Sequence, residues 1–103
     1  MKETIVLTES LIKKTVGDMM YYRGGLSNLG VSDLDDLTTP GSYLLATTNI
    51  ANLPEGCPTY GNIIVYPGYY PLQEIQPTSG NYFYRRMKTA SWTKWRKVSM
   101  ELV

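Results

Sequence analysis

From Tyr22 to Gly80, proline and glycine cut this chain into short pieces. Gly24-Gly25, Pro40-Gly41, Pro54, Gly56, Pro58, Pro67-Gly68, Pro77 and Gly80 leave short runs between them, and a Thr-Ala-Ser break, Thr89 to Ser91, divides the residues that follow Gly80. Such runs, rich in β-branched and aromatic residues, read as strands. Ser42 to Thr47 is one. Asn62 to Tyr66 is a continuous apolar run suited to a central strand, with the loop Asn49 to Thr59 before it. Leu72 to Gln76 sets Leu72, Glu74 and Gln76 against Gln73 and Ile75. Tyr82 to Lys88 alternates Tyr82, Tyr84 and Arg86 with Phe83, Arg85 and Met87. Lys94 to Val98 is the last. Five or so short strands with turns every 8 to 12 residues predict a mainly β fold, a small antiparallel sandwich or barrel-like knob.

The entry to that module is the run DLDDLTTPGSY, Asp33 to Tyr43. Asp33 suits the N-cap of one helical turn, with Asp35 and Asp36 near its positive end. Leu34 and Leu37, three apart, both point inward. Pro40-Gly41 fits the two central positions of a type II turn, since proline pre-sets φ and glycine accepts positive φ. Pro67-Gly68 offers the same chemistry, and Pro77 to Asn81 reads as a third turn.

The N-terminal stretch differs. Glu9 to Tyr22 holds good helix formers and no proline, and Ile5, Ile12, Met19 and Leu26 repeat every seven residues. A short helical arm is predicted, with Ile5-Val6-Leu7 open to a strand reading. Gly17 interrupts the seam and Gly24-Gly25 ends it. The arm is either a helix docked on the module or an oligomerisation or anchoring segment, because a helix this short needs packing partners. The expected division is an arm over residues 1–30 and a β-rich knob over 31–103.

The 103 residues contain no histidine, one cysteine, and a formal net charge of +1. The commonest general base and metal ligand are therefore missing from the alphabet. Cys57 has neither a disulfide partner nor a histidine to activate it, and reads as a small buried residue. Asp33, Asp35 and Asp36 are the only carboxylates close enough in sequence to suggest paired acid–base chemistry, and their capping role already accounts for them. Gly24-Gly25 lacks the spacing and the Lys-Ser/Thr of a phosphate-binding loop. No catalytic residue, metal site or cofactor is expected. No run approaches the roughly 18 apolar residues of a membrane span. The apolar stretch near the N-terminus is too short for a signal peptide, so synthesis as a soluble cytoplasmic product is expected.

Nine tyrosines stand against one phenylalanine. Tyrosine pairs an apolar body with a polar tip and suits half-buried sheet faces and interfaces alike. Six of the ten cations, Arg85, Arg86, Lys88, Lys94, Arg96 and Lys97, crowd the C-terminal third among Tyr82, Phe83, Tyr84, Trp92 and Trp95. Tyr82, Tyr84, Arg86 and Lys88 share one strand face and are candidate surface-binding residues, for a saccharide or, less favoured given the charge balance, single-stranded nucleic acid. The competing reading makes the tryptophans core and the cations a solvated face. Strict alternation cannot place Trp92 and Trp95 on one face, which predicts a bulge or corner near Thr93.

Taken in order, DLDDLTTPGSYLL, a loop holding ANLPEG (Ala51 to Gly56), NIIVYP, LQEIQPTSGNYFYRRM and SWTKWRKV (Ser91 to Val98) closely resemble the knob-type domain of bacteriophage tail fibres and R-type pyocin fibres. The resemblance spans Asp33 to Val98. It departs from that pattern at Asp35, where asparagine is common, and the segment with Cys57 and Pro58 has no counterpart. It implies a compact, non-enzymatic β module, commonly homotrimeric, in a virion. Asp33, Leu37, Pro40, Gly41, Tyr43, Trp92 and Trp95 match and are read as fold-determining. The expected function is that of a virion structural protein, a tail-fibre or appendage subunit or a capsid head-fibre (decoration) subunit. Its partners would be copies of itself, other virion proteins through the arm, and a host surface glycan. The Met1-Lys2-Glu3 start favours a small accessory virion protein over a fragment of a longer fibre. The alternative expectation is a carbohydrate-binding module that recognises the receptor.

Overall fold

The structure, a computed structural model, describes residues 21–47 and 49–99. The helical arm expected over Glu9 to Tyr22 lies outside these residues, apart from its last two positions.

Six strands form one sheet in chain order: β1 (Tyr22–Gly25), β2 (Gly41–Ala46), β3 (Tyr60–Tyr66), β4 (Leu72–Pro77), β5 (Tyr82–Met87) and β6 (Arg96–Ser99). β2 to β6 are an antiparallel meander, each strand paired with the next in the chain. β1 pairs with β2 in parallel, with an irregularity between Tyr22 and Gly24. The described residues thus form a mainly β fold, as expected, but in one mixed sheet rather than an all-antiparallel one. β1 and the fully buried Leu26 also fall inside the segment assigned to the arm, so residues 22–30 contribute to the sheet and its core. Gly24-Gly25 reads as a helix stop. Here it is a strand, with Gly24 at a φ of +113°.

One face of the sheet is covered. Tyr43, Ile63, Ile75 and Tyr84 lie side by side across β2 to β5 and are all buried. Leu45 and Val65 flank them. The lid is built from connections rather than from a second sheet. Leu26, Leu34, Leu37 and Cys57 close over the row, with Val31, Ile50, Leu53 and Trp95 at the margin. Two of these connections are stitched together. Ala51 N–H donates to the Ser32 carbonyl at 2.8 Å, and Leu34 N–H to the Ala51 carbonyl at 3.1 Å. Loops with such internal hydrogen bonding can lie on a core without leaving backbone groups unpaired.

The entry turn forms as its residues dictate. Leu34–Asp36 is a single 3-10 turn, and the Asp33 carboxylate accepts from Asp35 N–H at 2.9 Å. Gly41 opens β2 at a φ of +149°, and a Cβ there would come within 2.7 Å of Arg23 Nε. Its role is a left-handed conformation under a close approach. Gly68 does not adopt positive φ, so Pro67-Gly68 is not the type II corner expected, whereas Gly80 does, at +90°.

Candidate functional site

The pairing of β4 with β5 sets Gln73 opposite Arg86 on the covered face. Two long polar side chains are thereby carried into the interior, where each needs partners. Gln73 reaches outward from the sheet to the entry turn. Its amide Nε2 donates to the Leu34 carbonyl at 2.6 Å and the Leu37 carbonyl at 2.8 Å. Its Oε1 accepts from Arg86 Nε at 2.8 Å. All three ends of the amide are used, which fixes its orientation.

Arg86 is held from every side. Its side chain is only 4% exposed, and Nη1 forms an ion pair with Asp35 Oδ1 at 2.8 Å. The guanidinium carbon lies 4.3 Å from the centre of the Trp92 ring and 4.5 Å from that of Trp95. Nη2 has no hydrogen-bond partner, and the facing indole π surfaces offset its positive charge. Burial pulls the guanidinium below its ordinary pKa, while the neighbouring Asp35 acts against that shift. The two rings are tied back in turn. Trp92 Nε1 donates to the Asp35 carbonyl and Trp95 Nε1 to the Asn52 carbonyl, each at 2.9 Å. Asn52 then donates to Asp33 Oδ1 at 2.7 Å, which with the Asp35 amide draws the Asp33 carboxyl below the usual range.

DLDDLTTPGSY and SWTKWRKV therefore meet in space, with Gln73 and Arg86 as the pins between them. Both tryptophans reach one arginine from the segment that leads into β6, where Thr93 N–H donates to the Met87 carbonyl at 2.8 Å and its hydroxyl accepts from Met87 N–H at 3.1 Å. The bends of this connection fall at Thr89 to Ser91, before Trp92, and not at Thr93. Leu37 is buried, Tyr43 donates its hydroxyl to the Thr39 carbonyl, and Arg23 Nε donates to the Pro40 carbonyl at 2.6 Å. Cys57 is buried among the lid residues, which pushes its thiol up to about 11.

The candidate binding face is corrected. Tyr84 and Arg86 do lie on one face, but it is the covered one, and both are buried. Tyr82 is at the exposed margin, with Lys97 Nζ 3.9 Å from its ring centre, and Lys88 is half-buried. These four residues do not form an accessible surface together.

The accessible side chains are on the other face, which the sequence reading passed over. Arg85, on β5, donates Nε to Glu74 Oε1 at 2.7 Å. Glu74 is buried although it is on the outer face, because Tyr66 and Gln76 also donate to its Oε2, at 3.1 and 2.8 Å. Leu44, Leu72, Phe83, Met87 and Val98 surround this group, half-buried or exposed. At the β3–β4 connection Tyr69 and Tyr70 stand edge to face, 4.8 Å between centres. Gln73 and this tyrosine pair carried a signal in the sequence. Gln73 has the parity of the inward Ile75, and Tyr69-Tyr70 sits between Pro67-Gly68 and Pro71. Among the described residues no group of three potential metal ligands converges, and no helix is long and apolar enough to cross a membrane. Compared with protein-family models, with curated proteins and with solved structures, the chain has no significant match.

Proposed function

We propose that this chain is a non-enzymatic structural module of a bacteriophage virion, a fibre or appendage subunit or a head-fibre decoration subunit, whose β domain projects toward the host surface. The observation that carries the reading is the convergence of its two most distinctive motifs on one internal lock. Trp92, Trp95 and Asp35 are engaged by Arg86, and Asp33 by Asn52 and the Asp35 amide, so these residues act as architecture. Of these, Asp33, Trp92 and Trp95 are also among the residues on which the resemblance to phage-fibre and pyocin-fibre knobs rests, whereas Asp35 is where the chain departs from it. A small module pinned at both ends in this way is suited to presenting a surface on a particle.

In this reading the subunits form a homo-oligomer, with a trimer favoured, and residues 1–20 supply attachment or assembly. Mass spectrometry of purified virions of the encoding phage tests the proposal. The chain is expected in stoichiometric amount, and its absence from purified particles overturns the reading.

A further inference from the structure

The outer face of the sheet carries a groove with an unusual pairing of chemistries. One end is a hollow of about 330 Å³ lined by Tyr66, Pro67, Tyr70, Leu72, Arg85 and Met87. A second hollow of about 220 Å³ adjoins it, sharing Leu72, Arg85 and Met87 and extending to Thr93 and Arg96. The first is at the lower end of the range that small-molecule sites occupy, about 300–1,000 Å³. Tyr69, 91% exposed, adjoins Tyr70 of the first hollow, the two rings standing at 89° to each other. A tyrosine that bare is not explained by packing.

Arg85 lies between the two hollows in a fixed pose. Nε is engaged by Glu74, the guanidinium carbon lies 5.2 Å from the centre of the Phe83 ring, and about half of the side chain remains in solvent. Glu74 accepts from Nε–H alone, so neither Nη1 nor Nη2 is hydrogen-bonded to that carboxylate. A planar fork of this kind matches a carboxylate with two parallel hydrogen bonds. Arg96, directly opposite Arg85 in the sheet register, adds a further positive charge to the same groove.

We infer that this groove binds a carboxylate-bearing saccharide, with a sugar ring stacked on the Tyr69–Tyr70 pair and its carboxylate on Arg85. Saccharides present an apolar C–H face to an aromatic ring and polar groups at their rim, which is the arrangement found here. A nucleic acid is disfavoured by charge. Its affinity comes from many phosphate contacts, whereas of the three arginines that line this groove Arg85 is paired with Glu74 and Arg86 with Asp35, on a chain of net charge +1. The inference rests on the reading that the module faces a cell surface. Detection of the chain in virions tests that reading separately from saccharide binding.

The experiment is titration calorimetry of the full chain with four probes: a uronic-acid oligosaccharide, its carboxyl-reduced neutral counterpart, a sugar-phosphate polymer and a single-stranded oligonucleotide. The uronic-acid probe is expected to bind, and the neutral one at least about tenfold more weakly, the worth of a charge-assisted contact. Arg85→Gln should remove that preference, while Tyr69→Ala, at a site where truncation cannot disturb the core, should weaken the uronic-acid probe about three- to tenfold. Equal binding of the charged and neutral probes overturns the inference. So does binding of only the phosphate polymer or the oligonucleotide, no binding of the uronic-acid probe, or unchanged affinity in Tyr69→Ala.

Discussion

Arg86 lies with its side chain 4% exposed between two indole rings, while its neighbour Arg85 keeps 49% of its side chain in solvent. Alternation along β5 separates them, since successive residues of a strand point to opposite faces. The sequence made that alternation legible but not which face would be covered, because each face of β5 mixes an aromatic residue with a cation. Asp33 could be read from sequence alone, since cap geometry is local. Its carboxyl is held below its ordinary value of 3.8 by Asn52 and the Asp35 amide. A depressed folded-state pKa contributes stability above the unfolded value and loses it as pH falls through the folded value. Stability should therefore fall as pH drops from about 4 downward, and Asp33→Asn, which keeps a capping side chain, should flatten that limb in urea titrations at stepped pH. At Cys57 the sign is opposite in pH. A thiol raised to about 11 stays protonated at neutral pH, so a thiol-specific reagent should label it slowly in the native protein and at ordinary rate in denaturant.

At the scale of elements, β2 to β5 were legible from the turn residues that bound them, and β4 and β5 from their alternation as well, whereas β6 (Arg96–Ser99) begins two residues after the strand expected from Lys94. β4 shows the alternation well. The opposed parities of Gln73 with Ile75 and of Leu72 with Gln76 became its inner and outer faces. β1 was not legible. Its partner is β2, and nothing local to Tyr22–Gly25 announces a parallel pairing made across the entry turn. The lid was equally hidden, being made of connections whose cover depends on contacts distant in sequence. Two substitutions test this level. Gly41→Ala forces a Cβ onto a φ of +149° and against Arg23, and should cost about 1–3 kcal/mol, read as a lower thermal midpoint. Ile63→Ala opens the centre of the buried row and should cost about 2–5 kcal/mol in urea unfolding.

For the whole molecule, connections of modest length suffice to bury one sheet face, since Leu26, Leu34, Leu37 and Cys57 roof the core while Gln73 and Arg86 tie that roof to the strands. The opposite face is left by the described residues as the accessible one. The proposed assembly predicts an oligomer for the full chain in light scattering, and a shift toward monomer when residues 1–20 are removed if those residues assemble it. Retained assembly would place the subunit contacts in the β domain. The account as a whole depends on Arg86 being the pin between the two ends of the module. Equilibrium urea unfolding of Arg86→Ala tests it most directly. Removing Arg86 leaves the buried Gln73 Oε1 unpaired and opens a void between the two indole rings, while Asp35, its side chain 43% exposed, returns to solvent. The cost is about 2–5 kcal/mol, a large share of the roughly 5–15 kcal/mol that holds a small domain folded. The account predicts a loss of that size, up to an unfolded protein at 37 °C, and a variant whose midpoint matches the parent within about 0.5 kcal/mol would contradict it.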